Sequence, residues 1–409
     1  MTTELAAIGR TILDRADRLA RHTDVAGQLT RAWLTPAHRA AADLIEGWMR
    51  EAGMAVRRDG AGSVIGRYEG ARAGAKAIVT GSHFDTVRNG GRYDGQLGIL
   101  VPIACVARLH AKGERLDHAI EVVAFADEEG ARFQTSFLAS RAYLGRFDES
   151  LRDRRDADGV AFDDAMRAAG LDPSRIASGG ADPAGIEAYL EVHIEQGPVL
   201  LDEGLPLGVV TAIAGGTRHR VEVRGEAGHA GTVPMARRRD ALAAAAEMVV
   251  AVEGRARAAP SLVGTVGMLE VPQGTGNVIP GLVRFTVDLR SPDDAVREAA
   301  ERDVFAAFDA IAARRGVGVS VARTHAVKAT ACDKSLQARL ARAVESLGIP
   351  VRHLPSGAGH DAMILAEAVP AAMLFVRCGA GGVSHNPAET VTAEDAGLAV
   401  RALEAFLRG

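Results

Sequence analysis

The sequence predicts an α/β protein: a mixed, mainly parallel sheet covered by helices, interrupted by a smaller α+β unit of ferredoxin-like order. Three observations carry this. Apolar runs at 76–80 and 119–125 flank an apolar stretch from Leu97 to Leu109. That strand, helix, strand order, with both strands nearly all apolar, implies parallel strands covered on both faces. From about residue 217 to 325 the pattern becomes strand, helix, strand, strand, helix, strand, the split βαβ arrangement. At 409 residues the chain also outgrows a single core, which seldom passes about 250–300 residues.

Taken in order, Thr35 followed by Pro36 starts a helix, and Ala40, Leu44, Ile45 and Met49 recur at helical spacing until Gly53 stops it. A strand at 76–80, a buried helix at 97–109 ending near Gly113, and a strand at 119–126 follow. Residues 187–194 and 371–376 read as further strands, and 209–213 leads into the middle segment. There, strands are expected at 219–223, 262–270, 283–289 and 317–323, with helices at 237–257 and 293–315. Residues 1–212 and 327–409 thus form one domain and 213–326 an insertion in it.

Composition excludes several classes of function. A formal charge of −4, with no basic stripe among aromatics, gives no case for a nucleic-acid partner. No uncharged apolar run is long enough for a membrane span, and Glu4, Arg10, Asp14 and Arg15 break any signal-peptide core. A cytoplasmic location is expected. Cys105, Cys332 and Cys378 are odd in number and lie among apolar residues, which suits buried reduced thiols.

The chemistry sits where apolar runs end. Residues 81–87, Gly-Ser-His-Phe-Asp-Thr-Val, follow a strand, and Asp85 stands two residues from His83, placed to orient its imidazole. Asp94 lies in the glycine-dense loop 89–96, where it serves equally as a ligand or as the N-cap of the next helix. Asp127-Glu128-Glu129-Gly130 ends another strand; neighbours there project to different sides, so Glu129 can ligate while Glu128 acts as a base. Glu191, His193 and Glu195 share one face of a strand, an expensive set to bury without a purpose. His385 follows the last strand within Ser384-His-Asn-Pro-Ala-Glu389. Each position alone has a bland alternative: a surface loop, a cap or a solvated acidic turn. Together, His83, Asp94, Glu129, His193 and His385 all fall at strand ends of one sheet, where open α/β folds place ligands. They are one ligand more than a tetrahedral zinc accepts. They suit two metals sharing a carboxylate, an arrangement that activates water.

These residues, with the segments GSHFDTV, GGRYDGQLG, FADEEGARF, HIEQGPVL, GHAGTVPM, NVIPG, SGAGHDAM and SHNPAE, resemble the M20 metallopeptidase clan. More narrowly they resemble its hydantoinase/carbamoylase amidase branch, over about residues 30–405. The resemblance implies two divalent metals, Zn or else Mn, Co or Ni, with His83, Asp94 and His193 on one and Glu129 and His385 completing the other. Asp94 would bridge. Glu128 would take a proton from the attacking water and pass it to the leaving nitrogen, and Asp85 would support His83. Substrate contacts would fall to Gln196, His229, Asn277 and Arg290, and more weakly to Gly359 and His360. Arg290 offers a planar fork for a carboxylate, and His229 would help stabilise the oxyanion.

The reaction implied is hydrolysis of the ureido C–N bond in a small carboxylated substrate, first an N-carbamoyl-L-amino acid and next allantoate. A β-ureidopropionase or an M20 aminoacylase follows these, and a non-catalytic scaffold comes last because no ligand or base is lost. The resemblance also implies a homodimer formed through the insertion, which would close on the catalytic domain and bring His229 and Asn277 to the partner subunit's site. Two departures stand out: Val233 replaces a threonine usual after the His-Ala-Gly-Thr motif, and Arg218-His219-Arg220 replaces a more apolar or aromatic stretch.

Overall fold

The computed structural model describes residues 2–409. The chain divides into two compact units: residues up to Thr211 with Cys332–Leu354 and Gly359–Gly409, and Ala212–Ala331 with Pro355–Ala358. In the first unit the sheet runs in the order Ala55–Arg58, Val64–Tyr68, Ala119–Phe125, Ala77–His83, Ile186–Ile194, Ala371–Val376 and Leu207–Ile213. The middle four strands are parallel and the flanking pairs antiparallel. Parallel neighbours need a crossover, and the apolar helix Gln96–Ala111 supplies it between Ala77–His83 and Ala119–Phe125. That helix is buried almost all round because it lies between the sheet and the terminal helix Ala393–Arg408.

Register decides where the chemistry lands. His83 pairs with Phe125, and Phe375 with His193, so the carboxyl ends of these parallel strands come level. The strand expected at 76–80 runs on to His83, which makes His83 its last residue. At helix Pro36–Glu51, Thr35 caps the first turn by accepting from the His38 amide at 3.2 Å.

In the second unit Leu269–Glu270, Leu282–Ser291, Gly215–Arg224 and Gly318–Val327 form an antiparallel sheet, with Val263–Thr265 also pairing Leu282–Ser291. Helices Ala241–Arg257 and Asp294–Arg315 cover one face, burying Val221, Val223, Phe285, Val287, Leu289 and Phe308. The single strand expected at 262–270 is broken. Thr265 pairs with Asp288 and Leu269 with Phe285, so residues 266–268 stand opposite 286 and 287. The extra residue is a bulge next to Gly267. The three cysteines are free and buried. Among the described residues no helix is long and apolar enough to cross a membrane.

Candidate metal centre

His83 leaves its strand facing the turn Asp94-Gly95. The helix that follows starts at Gln96 with Gly95 as its cap, at φ 73°, so Asp94 does not cap it and its carboxylate is left to the site. Only glycine fits at 95: a Cβ there would meet the His83 carbonyl oxygen at 2.5 Å and its imidazole at 2.6 Å. Asp94 Oδ1 lies 3.4 Å from His193 Nε2 and 3.9 Å from His83 Nε2. Its Oδ2 lies 3.2 Å from His385 Nε2, which is itself 3.5 Å from Glu129 Oε1. The two oxygens of one carboxylate therefore face two different sets of donors. His83, Asp94 and His193 form one group able to hold a cation; Asp94, Glu129 and His385 form a second.

The donor chemistry fits divalent metal. His83 Nδ1 bonds the Asp85 carbonyl at 3.1 Å, and His193 Nδ1 the Ile194 carbonyl at 2.9 Å. Each bond fixes an N–H at Nδ1 and turns Nε2 towards the centre, the nitrogen that would serve a metal. The Gly95 amide, donating to His193 Nε2 at 3.2 Å, is consistent with that tautomer. His193 also stands within reach of Glu191 and His360, and the two imidazole rings of His193 and His360 are 4.5 Å apart.

Asp85 has a second task that the His-x-Asp spacing does not disclose. Its Oδ1 accepts from the Glu128 amide at 3.0 Å and its Oδ2 from the Glu129 amide at 3.1 Å. One buried carboxylate thus fixes both the His83 loop and the turn that presents the two glutamates. Glu128 is buried, and its carboxylate lies in one group with His83 and Glu129.

Burial pushes the Glu128 carboxyl well above the usual range, with Glu129 and Asp361 adding to it and His83 opposing. Burial and then Asp94 push Glu129 up to about 7. Burial works against Asp94 too, but His385, His193 and His83 hold it below the ordinary carboxylate range. Burial brings His193 down to about 4, keeping it neutral. So many acids held together in a buried pocket call for cations.

Several side chains hold the centre without being expected from sequence. Glu389 accepts from the Tyr93 and Asp94 amides at 2.8 and 3.1 Å and from Ser384 Oγ at 2.8 Å, clamping the Asp94 turn to the His385 loop. It lies in the SHNPAE segment, which was its only signal. Arg31, wholly buried, donates from Nε to the Phe84 carbonyl at 2.7 Å and from Nη1 to the Leu19 carbonyl at 2.8 Å. His38 bonds the Ala126 carbonyl at 2.7 Å and stacks on Phe84, with ring centres 4.3 Å apart. Of the three polar residues expected on one strand face, Glu191 is tied down by Ser82 Oγ at 2.7 Å and the Ala362 amide at 2.9 Å. Glu195 lies beyond the strand's end and caps Val199–Asp202, accepting from the Val199 and Leu200 amides.

The residues expected to touch substrate fall in both units. Gln196 Nε2 donates to Asp94 Oδ1 at 3.1 Å. Gln196 and His385 both hold left-handed backbone, at φ 56° and 54°, which non-glycine residues seldom adopt. His360 is buried, and Gly359 packs so closely that a Cβ would meet Phe137 at 2.7 Å. In the second unit His229 and Asn277 are neighbours: Val278 pairs with His229, and the Ala230 amide donates to the Asn277 carbonyl at 2.9 Å. Arg290 is held by Asp288 through two hydrogen bonds, at 2.8 and 3.1 Å.

Known proteins share this chain's sequence and fold. The profile of peptidase family M20/M25/M40 matches residues 79–409. The N-carbamoyl-L-amino acid amidohydrolase of Geobacillus stearothermophilus is 42% identical over 377 residues, 92% of each chain. Allantoate deiminase 1 of Glycine max is 40% identical over 424 aligned positions, covering 96% of this chain and 88% of that one. The crystal structure of a hydantoinase/carbamoylase family amidase from Burkholderia multivorans superposes with a TM-score of 0.91 at 36% identity, covering 98% and 97%. The chain therefore belongs to peptidase family M20/M25/M40, in its hydantoinase/carbamoylase amidase branch, as a hydrolase of C–N bonds other than peptide bonds.

Proposed function

We propose that this enzyme hydrolyses the ureido C–N bond of a small carboxylated substrate, with two divalent metals in the site around Asp94. The observation that carries the reading is the division of the Asp94 oxygens between two donor sets, beside a buried Glu128. His83, Asp94 and His193 would hold one metal, and Asp94, Glu129 and His385 the other. Metals bound there would lower the pKa of water and polarise the scissile carbonyl. Glu128 would take the proton from the attacking water and deliver it to the leaving nitrogen, a role suited by its buried place in one group with His83 and Glu129. Gln196 and, in the second unit, His229 and Asn277 are assigned to the ureido group and its oxyanion, and Arg290 to the carboxylate. His360 and Gly359 are the weaker contacts. Zn, Mn, Co and Ni all suit imidazole and carboxylate donors.

N-carbamoyl-L-amino acids are the first substrates in this reading, supported by the relative from Geobacillus stearothermophilus. Allantoate is the second, supported by the Glycine max relative at nearly equal identity. A cytoplasmic homodimer goes with both. Ammonia release from allantoate, a panel of N-carbamoyl-L-amino acids and N-carbamoyl-β-alanine tests the reading. Turnover of allantoate alone reverses the order of the two, and no release from any ureido compound by metal-loaded enzyme removes both. Glu128→Gln should abolish turnover while metal content stays unchanged; retained turnover would refute the role of Glu128.

A further inference from the structure

The sheet face of the second unit that its helices leave uncovered carries a cavity of about 780 Å³, lined in part by Arg218, Arg220, Thr286, Asp288 and Arg290. Strand register sets its floor. Asp288 lies opposite Arg218, Thr286 opposite Arg220, and Arg290 opposite Gly216. Their alternate neighbours Thr217, His219, Val287 and Leu289 are buried beneath the helices, so these five side chains project the other way.

The charges in this cavity do not balance. Asp288 is the one carboxylate among its described lining residues, and two guanidiniums share it. Its Oδ1 accepts from Arg290 Nε at 2.8 Å, and its Oδ2 accepts from Arg290 Nη2 at 3.1 Å and Arg218 Nε at 2.9 Å. Arg290 Nη1 also donates to the Gly357 carbonyl at 3.1 Å. Arg220 has no ion pair or side-chain hydrogen bond with any described residue. Three guanidiniums face one carboxylate. A single substrate carboxylate on Arg290 leaves a positive charge over at Arg218 and Arg220. An alkyl arm placed there would desolvate those donors without pairing them, which is unfavourable.

We propose that this cavity is a second acceptor subsite, in which Arg218 and Arg220 bind an oxygen-rich arm carried on the same carbon as the substrate's carboxylate. The inference rests on the ureido reading and narrows its substrate class. Arg218 Nε and Arg290 Nη2 both donate to Asp288 Oδ2, at 2.9 and 3.1 Å, so the two donors lie no more than about 6 Å apart, and an acceptor at Arg218 stands within a short chain's reach of a carboxylate at Arg290. That separation matches a carbon bearing a carboxylate and a short second arm. The arm is a side-chain carboxylate, as in N-carbamoyl-L-aspartate or N-carbamoyl-L-glutamate, or a second ureido group, as in allantoate. Both present oxygen acceptors to the same guanidiniums.

Steady-state kinetics of the metal-loaded full chain test this, using those three compounds and N-carbamoyl-L-norvaline, whose arm is alkyl. At least one oxygen-armed substrate should exceed norvaline's kcat/KM by tenfold or more, and the winner identifies the arm. Arg218→Met should shrink that ratio at least tenfold, chiefly through KM. Arg220→Met, checked for unchanged circular dichroism, should shrink it in the same direction and serves if the first variant fails to fold. A norvaline substrate that matches or beats all three, or variants that lower every substrate by one factor, overturns the subsite but leaves the ureido reading standing. Turnover of none of the four removes both.

Discussion

Replacing Asp85 by Asn tests whether one carboxylate organises the centre. Asp85 accepts two backbone amides, from Glu128 and Glu129, with a different oxygen for each. Asparagine keeps one carbonyl oxygen and turns an NH₂ towards the other amide. One charge-assisted bond is then lost outright, at about 2 kcal/mol, and its buried N–H is stranded at a further cost of about 1–2 kcal/mol. The surviving bond weakens from charged to neutral. The sum is about 3–4 kcal/mol, which urea unfolding of metal-stripped protein measures through the midpoint at unchanged slope. Because the same side chain lies 3.4 Å from His83 Nδ1, metal affinity should fall about 10–100-fold in a calorimetric titration. A variant that unfolds within about 0.5 kcal/mol of the parent and binds metal as tightly would show that Asp85 is not the organiser.

Three other perturbations probe different parts of the molecule. Arg31→Met strands the Phe84, Leu19 and His22 carbonyls in the interior and should cost about 3–5 kcal/mol by urea unfolding; a loss below about 1 kcal/mol would contradict it. His38 is brought by burial down to about 4, so its neutral form stabilises the fold fully above its unfolded value near 6.5 and this is lost as pH falls towards 4. Subtracting the pH dependence of His38→Gln from that of the parent should leave up to about 3 kcal/mol over that window, and a flat difference would rule the assignment out. Arg290→Lys removes the two-bond grip of Asp288 on a planar fork and should raise KM for carboxylated substrates about 10–100-fold; an unchanged KM would exclude Arg290 as the carboxylate contact.

The positions of His83, Glu129 and His193 were legible because each stands where an apolar run stops, and parallel strands align such stops by register. Asp94 shows the limit of that reading. As a residue type before a helix it is ambiguous between ligand and cap, and only the conformation of Gly95 decides. Asp85 was legible as a partner of His83 but not as the acceptor of two amides, since backbone partners leave no trace in a residue pattern. Arg31 and His38 carried no signal at all. Their burial arises from packing against the loop after His83, through contacts 53 and 88 residues away in the chain. In the second unit the order of elements was legible, whereas the bulge opposite 286 and 287 depends on cross-strand register. Arg218 departs from the family pattern in the sequence itself, whereas its pairing with Asp288 depends on the alignment of two strands.

Gln196 and His385 spend backbone energy, of order 1 kcal/mol each, to hold left-handed turns beside Asp94. Glycine would relieve both, yet it would also delete the amide and the imidazole that reach the Asp94 carboxylate, which the proposed function assigns to substrate and metal. Heat resistance and turnover therefore pull these two codons in opposite directions. A population selected only for surviving high temperature would find glycine there an easy gain and arrive at a sturdier, idle protein. Selection coupled to turnover would keep the two bends under tension.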